Sequence, residues 1–273
     1  MIIPGITVFQ WDIDAGKIDP SAVEGVDVIV HLAGVNIGGG RWTDHRKVQI
    51  LQSRVMSAQL LYEAVRIAER KPSAYITASA VGYYGVVTRD IIFSENSPPA
   101  GDFLGSVCER WEAASRPYRE MGIRTVIIRS GVVLSPRGGA LEKMVLPFKF
   151  GMGTVLGSGR QYLPWIHIDD LCHIYLMAVQ NDQWVGVYNA VAPHHVNNLE
   201  FSHTVAKVLN RPVWLPAIPR FIIGLILGEM AKMILEGSCV SSKKVVESGY
   251  QFLYPTLTDA LQDVLSPANR KNK

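Results

Sequence analysis

The chain has few cysteines, no glycine-rich turn near its start, no long apolar run and no strong excess of either charge, and each shortage removes a class of protein. Cys108, Cys172 and Cys239 lie far apart with no C-x-x-C pair, which argues against a disulfide scaffold or a thiolate zinc site and fits a reducing compartment. The most membrane-like stretch, 221–228, is followed at once by Glu229 and Lys232 and is too short to span a bilayer. The first residues show no cationic region ahead of an apolar core, so no secretory signal is expected and the expected location is cytoplasmic. A formal net charge of +3 is too mild to predict a nucleic-acid partner, and the basic tail of Arg270, Lys271 and Lys273 reads as solvated.

What is present is the composition of a packed globule. In 273 residues, 48% are hydrophobic and 19% charged, enough for one large domain or a large domain with a small one. Residues 27–34, DVIVHLAG, form an apolar run that stops at Ala33 and Gly34, as a fully buried parallel strand does. In a doubly wound sheet the ligand lies just beyond the carboxyl end of such a strand. A nucleotide fold should open with a strand, a glycine-rich turn and a helix, yet the glycines before Asp27 are only Gly5, Gly16 and Gly25, and no G-x-G-x-x-G can be drawn. The chain therefore reads as a nucleotide-binding fold that begins partway through. Loss of a first strand would leave ladder groups on its neighbours without partners unless the sheet rearranged.

The remainder alternates in the manner of right-handed crossovers. A helical pattern over 44–69 ends at Lys71-Pro72, strands are predicted at 74–80 and 124–129, and a helix is predicted between them over 101–121. Glycines and prolines punctuate 135–164. A further helix is expected from Asp169-Asp170, a last strand at 187–190, and a helix capped by Asn197-Asn198 running to Leu209. From Arg211 the pattern is mostly helical and ends with a capping box at Thr256 to Asp259. The fold expected is an α/β Rossmann-like doubly wound parallel sheet over 1–210 with a small, mostly helical lobe over 211–273.

Five segments, DVIVHLAG, TASAVGYYG (77–85), GDFLGSVCERWEAA (101–114), IIRSGVVLSPRGGAL (127–141) and PWIHIDDL (164–171), together resemble the atypical extended short-chain dehydrogenase/reductases. More narrowly, they resemble the "epimerase family" branch, whose members carry a helical C-terminal domain of unknown role. The resemblance implies an NADP-binding oxidoreductase or epimerase, with NAD left open as the cofactor. Members of the superfamily use a Tyr-x-x-x-Lys pair in which the lysine lowers the tyrosine pKa and holds the nicotinamide ribose. None of the ten tyrosines here is followed four residues later by lysine; the pair should fall at Phe103/Val107 or Leu104/Cys108. No residue matches the basic group that receives the 2′-phosphate of NADP in relatives.

The candidate catalytic residues are Ser79, Tyr83, Tyr84 and His167. Ser79 lies where relatives place a serine or threonine that hydrogen-bonds substrate, against the plainer reading of a small residue ending a buried strand. Tyr83 and Tyr84 follow in the turn above the cleft, where a hydroxyl can act as a substitute acid and an aromatic can equally just pack. Strand alternation puts Trp165, His167 and Asp169 on one face, which would orient His167 as a base, although a histidine before a helix cap is commonly structural. For the cofactor, the resemblance implies Leu32 and Ala33 on the adenine-ribose side, Arg54 as a phosphate ligand with Gln49 as companion, and Val133 at the nicotinamide end. Arg160 and Gln161 would suit an anionic ligand. His31, His194 and His195 have no metal spacing with acids or thiols, so no metal site is expected.

The reading is thus a hydride-transferring enzyme for an unknown small carbonyl, alcohol or nucleotide-linked substrate, with no nucleic-acid or membrane partner and a homodimer left open. Its rival is a dinucleotide-sensing or protein-binding module with a degenerate active site, and a shortened product that binds nothing well is a third case.

Overall fold

A computed structural model of the chain describes residues 5–88 and 91–266; the basic tail lies outside them. A small antiparallel pair, β1 (Trp11–Asp12) and β2 (Lys17–Ile18), precedes β3 (Val28–His31), α1 (Asp44–Ile67), β4 (Ala74–Ala80) and β5 (Ile92–Phe93). Next come α2 (Phe103–Ala113), α3 (Arg116–Glu120), β6 (Arg124–Ser130), β7 (Val132–Leu134) and α4 (Ala140–Lys149). They are followed by β8 (Trp165–His167), α5 (Ile168–Gln180), β9 (Gly186–Ala190) and α6 (Asn198–Val208). The C-terminal part holds α7 (Arg220–Leu227), α8 (Ala231–Leu235), β10 (Cys239–Val240), α9 (Lys243–Glu247) and α10 (Leu257–Leu265). Among the described residues no helix is long and apolar enough to cross a membrane.

The main sheet is parallel in the order β3-β4-β6-β9, with His31 level with Thr77 and Ser79 level with Arg129. Period-two alternation sends Ile76, Val126 and Ile128 to one face, where they pack on Ile174 and Ala178 of α5, and Ile29 and Tyr75 to the other, against Ala64 and Val65 of α1 and Tyr118 of α3. Helices on both faces are the reason these strands are apolar on both sides. β3 is an edge strand whose outer ladder meets no strand among the described residues, and Val30 and Leu32 are 42% and 62% exposed there.

The helix predicted over 101–121 is two, broken after Ala113 and restarted with Pro117 in the first turn of α3, where its missing N–H costs no helical bond. The C-terminal part is bound in at several points. Leu257, Ala260, Leu261 and Val264 of α10 share a core with Leu141 and Val145 of α4, Trp165 of β8 and Phe201 of α6. β10 pairs with β5, and Val245 of α9 joins the core on the α5 face.

One polar group closes this arrangement. The Asp170 carboxylate in the first turn of α5 has no solvent exposure and accepts hydrogen bonds from Tyr250 Oη (2.6 Å), Leu253 N (2.7 Å) and Tyr254 N (3.0 Å). Burial of a carboxylate is tolerated because both oxygens accept hydrogen bonds, and the cost of removing it is the stranding of three donors. Asp170→Ala is expected to lower stability by about 3 kcal/mol in urea unfolding, and a loss below about 1 kcal/mol would rule out this role for the carboxylate.

Candidate functional site

The carboxyl ends of β3, β4 and β6 lie side by side and carry small groups: Ala33 just past β3, Ala80 at the end of β4 and Ser130 at the end of β6. Ala33, Ala80 and Ser130 are half-buried and Leu32 is exposed, so this rim is open to solvent. Small side chains on adjacent strand ends fit the approach of a flat ring and its ribose to the backbone.

Beneath the rim is a buried polar network. The guanidinium of Arg129, one residue before the end of β6 and 2% exposed, makes a two-point pair with Glu112 of α2, Nε to Oε1 at 2.8 Å and Nη2 to Oε2 at 2.7 Å. Burial works against the arginine's charge, and the hydrogen bonds and charge of Glu112 more than offset it, holding the pKa above its ordinary value. Ser79 Oγ donates to the same Glu112 Oε1 at 2.7 Å. Arg129 Nη1 donates to Tyr84 Oη at 2.8 Å, and Tyr84 Oη donates to Asn189 Oδ1 on β9 at 2.7 Å. The guanidinium carbon lies 3.4 Å from the Tyr83 ring centre. Ser79, Tyr83 and Tyr84 are thus brought together, by a Glu–Arg pair to which sequence reasoning assigned no role. Its signal was present: an arginine inside a fully buried strand needs a carboxylate within reach.

The two tyrosines differ. Burial pushes the Tyr84 phenol up to about 12, against the opposing pull of Arg129, and its hydroxyl is committed at both ends. Tyr83 is half-buried, and its hydroxyl makes no hydrogen bond among the described residues. Cys108 of α2 lies against Ser79 and Ala80, and burial pushes its thiol up to about 12, so it offers no thiolate at neutral pH.

His167 is placed elsewhere. Its Nδ1 accepts from Asp169 N at 3.1 Å, capping α5, its Nε2 faces Asp263 Oδ2 of α10 at 3.1 Å, and its ring stacks on Tyr254 with centroids 3.8 Å apart. It shares no partner with Ser79 or Tyr83. Ligand atoms of His167, Asp169 and Asp263 lie within 4.8 Å of one another, but both ring nitrogens already serve the cap and the helix contact. Val133 packs on the core of the α5 face. Arg54 does not reach over the rim: Nη1 donates to Ile50 O (2.9 Å), Nη2 to Val35 O (3.2 Å), and the guanidinium lies 4.9 Å from the Trp111 ring centre. A Cβ on Gly34 would stand 3.1 Å from Arg54 Cζ, so glycine there admits the side chain under the loop. Gln49 accepts from Arg46 at 3.2 Å. Gln161 is buried on Leu156 O and Ile234 O, while Arg160 is exposed.

Next to the rim, His31 is 2% exposed between Ser57 Oγ (2.9 Å from Nε2) and Tyr75 Oη (2.8 Å from Nδ1). Ser57 gives its proton to the Ser53 carbonyl, so Nε2 is the protonated nitrogen and Nδ1 accepts from Tyr75. Burial lowers the His31 pKa to about 4.

A family model described as the NAD dependent epimerase/dehydratase family matches residues 12–191, and a second, a domain of unknown function (DUF1731), matches 218–264. The chain belongs to the NAD-dependent epimerase/dehydratase family. It is 37% identical over 266 residues to epimerase family protein YfhF of Bacillus subtilis, covering 97% of this chain and 86% of that one. The crystal structure of human epimerase family protein SDR39U1 (isoform 2) with NADPH superposes with a TM-score of 0.82 at 35% identity, over 91% of this chain and 83% of that one. UDP-glucuronic acid 4-epimerase from Bacillus cereus, at 19% identity and a TM-score of 0.71 over 89% of this chain and 75% of that one, shares the fold. The family and the Rossmann-like sheet expected from the five motifs are those found, and the helical C-terminal segment falls under the second model.

Two measurements test the site's electrostatics. Removing one member of the Glu112–Arg129 pair strands a buried charge, so Glu112→Gln or Arg129→Met alone is expected to cost about 3–5 kcal/mol, and Glu112→Leu with Arg129→Met together less than the sum. Additive losses in urea unfolding would mean the two groups are uncoupled. His31 is neutral in the folded state and takes up its proton in the unfolded state below pH 6.5, its ordinary value. Its contribution is complete above that pH and is lost as pH falls toward about 4, roughly 3 kcal/mol over the interval. His31→Gln should flatten that part of the stability curve, and an unchanged pH slope would refute a neutral buried histidine.

Proposed function

We propose that the protein binds NADP(H), with NAD as the lesser cofactor, across the Ala33–Ala80–Ser130 rim and transfers hydride to or from a small carbonyl or alcohol. The observation that carries this reading is the human relative, alike over nine-tenths of this chain, whose structure contains NADPH. When bound, the nicotinamide supplies the hydride. The chain's own residues supply the proton and the alignment. Tyr83 is the proton donor, because its hydroxyl is uncommitted at the edge of the network while that of Tyr84 is not. Ser79 gives its proton to Glu112 and so offers substrate a lone pair, which suits a substrate hydroxyl better than a carbonyl oxygen. The unpaired thiols fit a cytoplasmic protein.

A second reading is a dinucleotide sensor without turnover, favoured by the missing Tyr-x-x-x-Lys pair and by the engagement of His167 in helix packing. Fluorescence titration with NADPH followed by NADPH oxidation over a panel of carbonyl compounds separates the two. Turnover that falls roughly 10²-fold in Tyr83→Phe with NADPH affinity unchanged is expected of the enzyme. Tight binding with no turnover across the panel would favour the sensor, and no binding of either dinucleotide would defeat both.

A further inference from the structure

The geometry points to α7 as a surface that lies on an anionic lipid bilayer, a property independent of the chemistry above. The stretch 221–228 is too short to cross a bilayer, which excludes a spanning helix but not one lying flat among the headgroups. Apart from Arg220 and Gly224, every residue of α7 (RFIIGLIL) is large and apolar, the composition of a helix enclosed all round. Only one side is enclosed. Ile223 and Leu227, one turn apart, pack with Leu156, Ile218, Ala231 and Leu235. Phe221, Ile222, Leu225 and Ile226 fall together on the opposite side and are exposed, Phe221 and Leu225 to 75% and 78%. Four large apolar side chains in water on two turns of one helix form a patch, unlike the single apolar residues scattered over any surface.

Positive charge borders the patch. Arg41, in the loop after β3, donates to Leu225 O and Ile226 O, carbonyls in the last turn of α7, where a cation is favoured. Lys232, near the start of α8, is exposed. The acids of 220–236 are Glu229 and Glu236, and they are held by Lys47 and Arg220. Arg41 and Lys232 make no ion pair among the described residues, so the surroundings of α7 present net positive charge to solvent. The chain leading into α7 carries a second exposed apolar group. Residues 214–218 run beside 151–156, with Thr154 Oγ1 donating to Pro216 O (2.8 Å) and Ile218 N to Val155 O (3.0 Å). Trp214 Nε1 donates to Gly151 O (3.0 Å), and Phe150, Met152 and the Trp214 ring are left exposed, with Lys149 and Arg211 close by in sequence. An indole whose N–H is satisfied and whose ring meets solvent is a residue type favoured at membrane–water interfaces.

Charge decides the occupant. A second copy packing the same face across a two-fold axis would set Arg41 and Lys232 of one chain against those of the other, with both acids of the segment already engaged. An anionic bilayer instead offers acyl chains to the four apolar side chains and negative headgroups to the cations at their border. A helix of eight residues buries too little apolar surface to anchor the protein by itself, so the contact is reversible and needs the apolar and the basic contributions together.

Co-sedimentation with vesicles of equal parts phosphatidylglycerol and phosphatidylcholine, and with vesicles of phosphatidylcholine alone, tests this. The proteins are the full chain, the double variant Phe221→Gln/Leu225→Gln, which keeps good helix formers at exposed positions, and the double variant Arg41→Gln/Lys232→Gln. The wild type is expected to partition onto the anionic vesicles at least about tenfold more strongly than onto phosphatidylcholine, and to be released as salt is raised. Phe221→Gln/Leu225→Gln is expected to lose about tenfold on anionic vesicles with its thermal midpoint unchanged, and Arg41→Gln/Lys232→Gln to lose the preference for anionic lipid. The proposal is overturned if the wild type stays in the supernatant with anionic vesicles, or if Phe221→Gln/Leu225→Gln pellets as the wild type does. It is overturned equally if sedimentation equilibrium without lipid finds a wild-type dimer that this variant converts to monomer, which would give the face to a second copy. None of these readouts involves NADPH, so they hold whether or not the cofactor reading does.

Discussion

A charged side chain in the third strand of a parallel sheet is the constraint around which the candidate site is built. Arg129 cannot point into a helix-covered face without a carboxylate, because taking its charge out of water costs several kcal/mol that only a close partner offsets. Glu112 supplies that partner from α2, and the pairing fixes how far α2 stands from the sheet. With both carboxylate oxygens on one guanidinium, Oε1 still takes the Ser79 hydroxyl, so the strand next door is locked to the same point. The remaining guanidinium nitrogen reaches Tyr84, and through it Asn189 on the far strand. Three strands, one helix and the turn 81–84 are therefore positioned by one ion pair.

The backbone plan was legible in the sequence because buried parallel strands have few alternatives. AYITASA is buried almost throughout and RTVIIRS is covered on both faces, whereas DVIVHLAG, read as fully buried, lies at the sheet edge with Val30 and Leu32 exposed; small residues mark the carboxyl ends of all three. The helix ends were legible for a local reason: Asn197 and Thr256 accept from backbone amides three residues on, as their spacing foretold. The site was less legible, since its geometry joins residues far apart in sequence. Strand alternation was a misleading guide for His167, because β8 passes straight into α5 and the ring turns back to cap the helix rather than outward to a ligand. Arg54, expected as a phosphate ligand in the cleft, instead reaches the carbonyls of Ile50 and Val35, because its direction along the helix decides its partners.

The motif PWIHIDDL has a physical explanation that needs no catalysis. Trp165 fills the core shared by α4, α6 and α10, His167 caps α5 and meets Asp263, and Asp170 holds the backbone of 253–254. Each of these side chains acts on the C-terminal part of the chain. The motif is a set of contacts joining the helical segment to the nucleotide fold. Because β10 pairs with β5 and Ser238 Oγ donates to Gly85 O (2.9 Å), the same segment also braces the turn that carries Tyr83 and Tyr84.

Charge balance then separates two tasks that a single lysine performs in the superfamily. On α2 the resemblance puts the acid and its cationic helper at Phe103/Val107 or Leu104/Cys108, neither of which is a tyrosine–lysine pair, and Glu112 lies one turn beyond Cys108 on the same face. Paired with Arg129, it contributes order but almost no net charge at the rim. An anionic cofactor or substrate gains little from a neutral pair at long range, since the fields of the two members cancel beyond a few ångströms. Attraction of an anion must come from cations that lack such a partner.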